Sequence, residues 1–243
     1  MQEISLSAEE IFRVGNYAIT NGLFLSFIVL LILSAFALIF KKNIKPIPGI
    51  AQNIAEFLIE TLLTLMDSVF LDRKKSEKYL PLIATIFIFI LVSNWLGLLP
   101  GVGSFFIEGE EGSVPLLRSP ASDLNFTLAL AIIAILSTNF LGMIKFGFFK
   151  HIKKFFNFSG PIKFFVGILE LLSEFSRMIS FSFRLFGNVF AGEVLLIIVF
   201  FLAPYIVPIP FLFLEMFFGA IQALIFAMLT MVFLSIHTTI EEH

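Results

Sequence analysis

The sequence predicts an all-α integral membrane protein of about five transmembrane helices. One amphipathic helix lies at the cytoplasmic interface, and the last two long helices form a tilted hairpin. Three observations predict this. Of 243 residues, 58% are hydrophobic, and the mean hydropathy is +1.01; a typical soluble domain is about 45–50% apolar. Charged residues make up 14%, against about 25% in ordinary domains. Five apolar stretches can each cross about 30 Å of hydrocarbon, which takes about 20 helical residues.

The remaining composition narrows the function. Thirty-four phenylalanines stand against three tyrosines and one tryptophan, which points to rings facing lipid or other helices. The formal net charge of −2 gives no basis for a nucleic-acid partner. The absence of cysteine excludes disulfides, thiolate chemistry and cysteine metal sites. The N-terminus, MQEISLSAEE, is acidic and lacks the basic stretch and small-residue cleavage site of a signal peptide. The first apolar segment is therefore expected to be a retained span.

In chain order, the spans are expected at 21–40, 80–99, 124–144, 164–203 and 209–237. The first three have ordinary lengths. The last two are longer, carry polar residues in their middles and are separated by Pro204, Pro208 and Pro210, which makes them a hairpin. Their length implies steep tilt. Between the first two spans, residues 50–70 place Ile50, Ile54, Phe57, Leu58, Leu62, Leu65 and Val69 at i, i+3, i+4 spacing, with Asn53, Glu56, Glu60 and Asp67 on the other side. This is an amphipathic helix. Its acidic polar face suits a protein partner better than anionic lipid, and packing on its own bundle is the plainer alternative.

Twelve of the sixteen lysines and arginines lie in the 41–79 and 145–163 loops, whereas the 100–123 loop sets Glu108, Glu110, Glu111 and Asp123 against Arg118. Basic loops stay cytoplasmic, so the N-terminus is expected outside and the C-terminus inside.

Only Arg177 and Arg184 among the basic residues fall within the body of a span. An arginine at a helix centre costs about 2.5–3.5 kcal/mol even on a lenient insertion scale. It must face protein, water or a partner's carboxylate. Its guanidinium stays protonated, so it is a fixed charge and not a proton carrier. Glu170, Ser173, Arg177, Ser180, Arg184 and Asn188 are spaced by three or four residues and share one helix face. Internal pairing with Glu170 or Glu174 would account for Arg177. Arg184 has no acidic residue within one turn.

Glu215 and Gln222 share a face of the last helix. A turn at Pro204 sets Arg184 level with Gln222 and Glu193 level with Glu215, the two levels about 13 Å apart. Two carboxylates held close in a low-dielectric site cannot easily both ionise; such a pair can accept and release protons. A carboxyl–carboxylate bond that only ties the helices is the alternative. Glu193 lies about 180° around the helix from Arg184, so one can face a partner while the other lines an access route. Asp123 begins the third span as a candidate helix cap. Asn94 and Trp95 lie near the outer end of the second span, where tryptophan is a usual interface anchor. His151, His237 and His243 fall at cytoplasmic margins and are expected to be inert. No zinc-protease, phosphate-loop, nucleophile-elbow or calcium-loop pattern is present, so neither a metal nor a cofactor is expected.

The segment Ser182-Phe183-Arg184-Leu185-Phe186-Gly187-Asn188-Val189-Phe190-Ala191-Gly192-Glu193 closely resembles the signature of subunit a of F-type ATP synthases. The resemblance extends to Gln222-Ala223-Leu224-Ile225-Phe226, to the ending Glu241-Glu242-His243, to Pro81 through Pro100, and to Ser122-Asp123-Leu124-Asn125. It implies a rotary-motor stator in a bacterial inner membrane. The implied partners are a ring of c subunits, peripheral-stalk b subunits and the catalytic head, with the ATP chemistry done elsewhere in the complex. It implies that Arg184 faces the ring carboxylate and separates two half-channels for H⁺ or Na⁺. Asn188, Gln222, Glu193, Glu215 and Asp123 are then grouped with the outer half-channel. Glu170, Ser173 and Ser180 belong to the cytoplasmic one. Glu215 departs from a bacterial branch that has histidine there, leaving the outer relay as two carboxylates. Two other classes remain to be separated from this one: a secondary transporter whose buried arginine binds an anionic substrate, and a purely structural subunit in which Arg184 is dispensable.

Overall fold

The computed structural model describes residues 8–15, 17–99, 102, 105–109, 112–147 and 160–239. His151, His243, Lys150, Lys153, Lys154 and the Glu241–His243 ending lie outside them.

Among the described residues, five helices are long and apolar enough to cross a membrane. A first hairpin, β1 (Glu10–Val14) and β2 (Tyr17–Thr20), precedes α1 (Asn21–Lys42). Then come α2 (Ile50–Phe70) and α3 (Arg73–Gly97). A second hairpin, β3 (Phe106–Gly109) and β4 (Gly112–Pro115), leads through a 3-10 turn at Pro120–Ser122 into α4 (Leu124–Phe146). The long helices α5 (Pro161–Leu202) and α6 (Pro208–Thr239) complete the chain. The two small hairpins are an addition to the all-α expectation. They touch each other through β1 and β3 and sit at the end of the bundle where α1 begins.

Helix limits follow capping more closely than hydropathy. The expected 80–99 segment belongs to a helix that starts seven residues earlier, at Arg73. The Asp72 side chain accepts the Lys74 N–H at 3.0 Å, which extends the helix through a charged turn. Pro161 supplies a preset first turn for α5. At 42 residues, α5 is about 63 Å long at about 1.5 Å per residue. That is roughly twice the hydrocarbon thickness, so it can lie within the layer only at a steep tilt.

The core is a seam between α3, α4, α5 and α6. Ile86, Ile90, Ala131, Ala134, Phe181, Leu185, Val189, Ala223 and Phe226 form one buried cluster. Met66, Phe70, Tyr79, Ile83, Ala227, Met231 and Leu234 form a second, which seats the end of α2. Only that half of α2 packs: Ile50, Ile54 and Phe57 are exposed. Arg73 ties α2 to α3 by bonds to Asp67 at 2.8 Å and Glu60 at 3.3 Å. Asn94 and Trp95 lock α3 to α6, donating to the carbonyls of Gly219 and Met216, both at 3.0 Å. Trp95 is thus a helix–helix tie as well as a residue near a span end.

The α5–α6 register can be read from two contacts. The Phe181 and Phe226 rings lie 4.9 Å apart, and the Glu215 carboxyl lies against Gly192. Both pairs are centred between residues 203 and 204. This sets Arg184 and Gln222 within one residue of the same level, and likewise Glu193 and Glu215.

Candidate functional site

The polar residues of the hairpin separate into three places. The first is the exposed face of α5. Burial of Phe181, Leu185 and Val189 in the core turns Arg184 outward, where it is exposed together with Ser180, Gly187 and Ala191. Its Nη2 donates to Ser180 Oγ at 3.4 Å, and no carboxylate among the described residues pairs with it. The surface around it is open: a Cβ at Gly187 would meet nothing within 4 Å. Asn188, one turn on, is half-buried, and its Nδ2 is buried without a hydrogen-bond partner among the described residues. Gln222 is buried on α6. A fixed cation on an apolar, outward-facing surface needs an acidic counterpart from outside the chain.

The second place lies toward the β-hairpins. Glu215 is buried, and it has room only because position 192 is glycine: a Cβ there would overlap its carboxyl. Glu193, on the adjacent position of α5, is half-buried and follows directly the glycine against which Glu215 lies. Glu193 Oε1 lies 3.3 Å from Arg118 Nε. Asp123 caps α4, its Oδ1 accepting the Asn125 N–H at 2.9 Å.

The third place is the opposite end of the hairpin. Glu174 Oε1 receives Arg177 Nη1 at 2.8 Å and stands 3.1 Å from His237 Nε2, while Oε2 accepts Asn139 Nδ2 at 3.2 Å. Arg177 also lies over the Phe233 ring, 4.7 Å from its centroid. Arg177 is therefore paired inside its own chain, unlike Arg184. Glu170 and Ser173 are half-buried on the same helix, one turn and less before this cluster. His237, the last residue of the predicted span, is buried within the bundle in contact with Glu174, and α6 continues two residues further to Thr239.

Arg118, Asn139 and Gly192 were not legible as site residues. Asn139 sits in a stretch that looks like ordinary helix, and Gly192, although part of the Ser182–Glu193 segment, carries no side chain to mark its role in seating Glu215. Arg118 had one signal, being the only basic residue in an acidic loop.

Fold and site together define a polytopic membrane protein whose charged groups are divided between an outward-facing cation and internal carboxylates. The chain belongs to the ATP synthase A chain family, whose model matches residues 23–235. It is 36% identical to ATP synthase subunit a of Gloeobacter violaceus over 90% of this chain and 82% of that one. It is 36% identical to ATP synthase subunit a of Campylobacter concisus, over 89% of this chain and 88% of the other. It is also 36% identical to the chloroplastic ATP synthase subunit a of Stigeoclonium helveticum, over 100% of this chain and 94% of the relative.

Proposed function

We propose that this chain is the ion-translocating stator of a rotary ATP synthase, itself without ATP chemistry, and that it faces a ring of c subunits through Arg184. The observation that carries this is the exposed guanidinium of Arg184 with no carboxylate partner among the described residues. The paired Arg177 provides the contrast within one helix. A ring site that arrives protonated meets the fixed cation and gives up its proton, because a nearby positive charge favours the ionised carboxylate. The proton leaves past Ser180, Ser173 and Glu170 toward the cytoplasm. On the other side, a proton enters past Glu193 and Glu215, with Asn188 and Gln222 beside the hand-over, and neutralises the next ring site, which can then turn into lipid. Each elementary charge crossing is worth about 2.3 kcal/mol per 100 mV. A continuous water path would dissipate that energy, so Arg184 also acts as the barrier between the two routes.

In this reading the β-hairpins lie outside a bacterial inner membrane, while α2 and the C-terminal end of α6 lie at the cytoplasmic face. The exposed first half of α2 is available to peripheral-stalk b subunits. The buried Glu215 next to the half-buried Glu193 supports proton transfer, and the membership in a family named for ATP synthase tells against a solitary transporter. The test is reconstitution of the full complex in vesicles with wild type or Arg184→Ala. Loss of ATP synthesis driven by an imposed ion gradient is expected. Normal coupling in the variant would reject the proposal.

A further inference from the structure

Arg118 takes no step in the mechanism above, yet its side chain is only 9% exposed. The segment that carries it is pinned from several sides. Asn21 Nδ2 donates to the Pro115 carbonyl at 3.3 Å. A Cβ at Gly97 would stand 2.6 Å from that of Ser119, so glycine is what lets α3 and this segment meet. The 3-10 turn packs on α1, α3, α4 and α5. A guanidinium placed by so rigid a frame keeps one position relative to α5.

Its neighbours show what the position serves. Arg118 Nε donates to Ser122 Oγ at 3.1 Å and lies 3.3 Å from Glu193 Oε1. The other oxygen, Glu193 Oε2, is buried without a hydrogen-bond partner among the described residues. Glu215 lies against Gly192, one residue before Glu193. The charged groups brought here include, among the described residues, Arg118 from the loop segment, Glu193 from α5, Glu215 from α6 and Asp123 at the head of α4; Asp123 spends its carboxylate on the Asn125 N–H.

We infer that Arg118 is a positioning residue of the outer proton route: it holds one oxygen of Glu193 and leaves the other to take the proton passed to Glu215. The inference rests on the stator reading. The guanidinium cannot relay a proton itself. Its charge sets the balance of the group instead: guanidinium and two carboxyls are neutral when the pair holds one proton, the state in which a proton can hop between them. Without the cation, neutrality in a low-dielectric site requires two bound protons, and the pair delivers less readily.

The test uses the assembled ATP synthase in vesicles, at fixed membrane potential, with ATP synthesis followed against the pH of the proton-supplying side. Arg118→Gln is expected to slow synthesis at the wild-type optimum and to move the profile to higher pH by about one unit or more, the size of effect an adjacent opposite charge produces. Arg118→Lys is expected to keep the wild-type profile. If Arg118→Gln does not assemble, Arg118→His replaces it. Its cation is present only below about pH 6.5, so its rate relative to wild type should fall as the pH rises through that value. A wild-type rate and profile in assembled Arg118→Gln, or no added transition in Arg118→His, overturns the inference. Arg184→Ala in the same assay reports separately on the stator reading: if it stays uncoupled while Arg118→Gln behaves as wild type, only the role of Arg118 is lost.

Discussion

The carboxyl of Glu215 occupies the space in which a side chain at Gly192 would stand. Glycine therefore serves α5 here through its missing Cβ and not through any unusual backbone. The notch lets α6 bring a buried carboxyl beside Glu193 without spreading the hairpin. Gly192→Ala is expected to push the flexible end of Glu215 out of place, at little cost to the backbone packing of the hairpin. In assembled complexes, gradient-driven ATP synthesis should drop about tenfold or more, as it does when a reacting group is displaced by an ångström. Unchanged synthesis in Gly192→Ala would show that the Glu215 position is not required.

Glu174 gathers Arg177, His237 and Asn139 from three helices. Its side chain is 10% exposed and that of Arg177 24%, so removing the carboxylate charge leaves a largely buried cation unmatched. Breaking such a pair on one side costs about 3–5 kcal/mol when burial is complete, and somewhat less for this partly exposed arginine. Glu174→Gln is therefore expected to lower the temperature at which the detergent-solubilised complex dissociates. Glu174→Gln combined with Arg177→Gln should recover most of the loss, because no orphan charge remains. A double variant as unstable as the single one would mean that Glu174 acts through His237 or Asn139 and not through Arg177.

The contrast between Arg177 and Arg184 was legible in the sequence, because helix spacing puts Glu174 three residues from one and no carboxylate within a turn of the other. The hairpin register was legible for the same reason: prolines fix the turn, and helical rise fixes the levels. What stayed hidden depends on long separations. Arg118 and Glu193 are brought together by a loop whose path no periodicity encodes. His237 and Glu174 meet across 63 residues of sequence, through the packing of α5 on α6. Hydropathy marked α3 late because a capping aspartate, not an apolar residue, begins it. The two β-hairpins are short segments without a strong alternating pattern, and the charge count of the 100–123 loop carries no information about the second of them.

Asp123 stands between two roles that one substitution separates. Its Oδ1 accepts the Asn125 N–H at 2.9 Å as the cap of α4, and its Cβ lies close to the site where Gly22 would carry a side chain. Asparagine caps a helix about as well as aspartate but carries no charge; alanine does neither, at a typical cost of about 1 kcal/mol. Because the carboxylate is already committed to the cap, Asp123→Asn is expected to keep gradient-driven ATP synthesis within about twofold of wild type, whereas Asp123→Ala loses stability by roughly that capping energy. Thermal dissociation of the complex and ATP synthesis, measured on the same preparations, distinguish the two. A stable Asp123→Asn complex with strongly reduced synthesis would instead place this charge in the outer proton route beside Glu193.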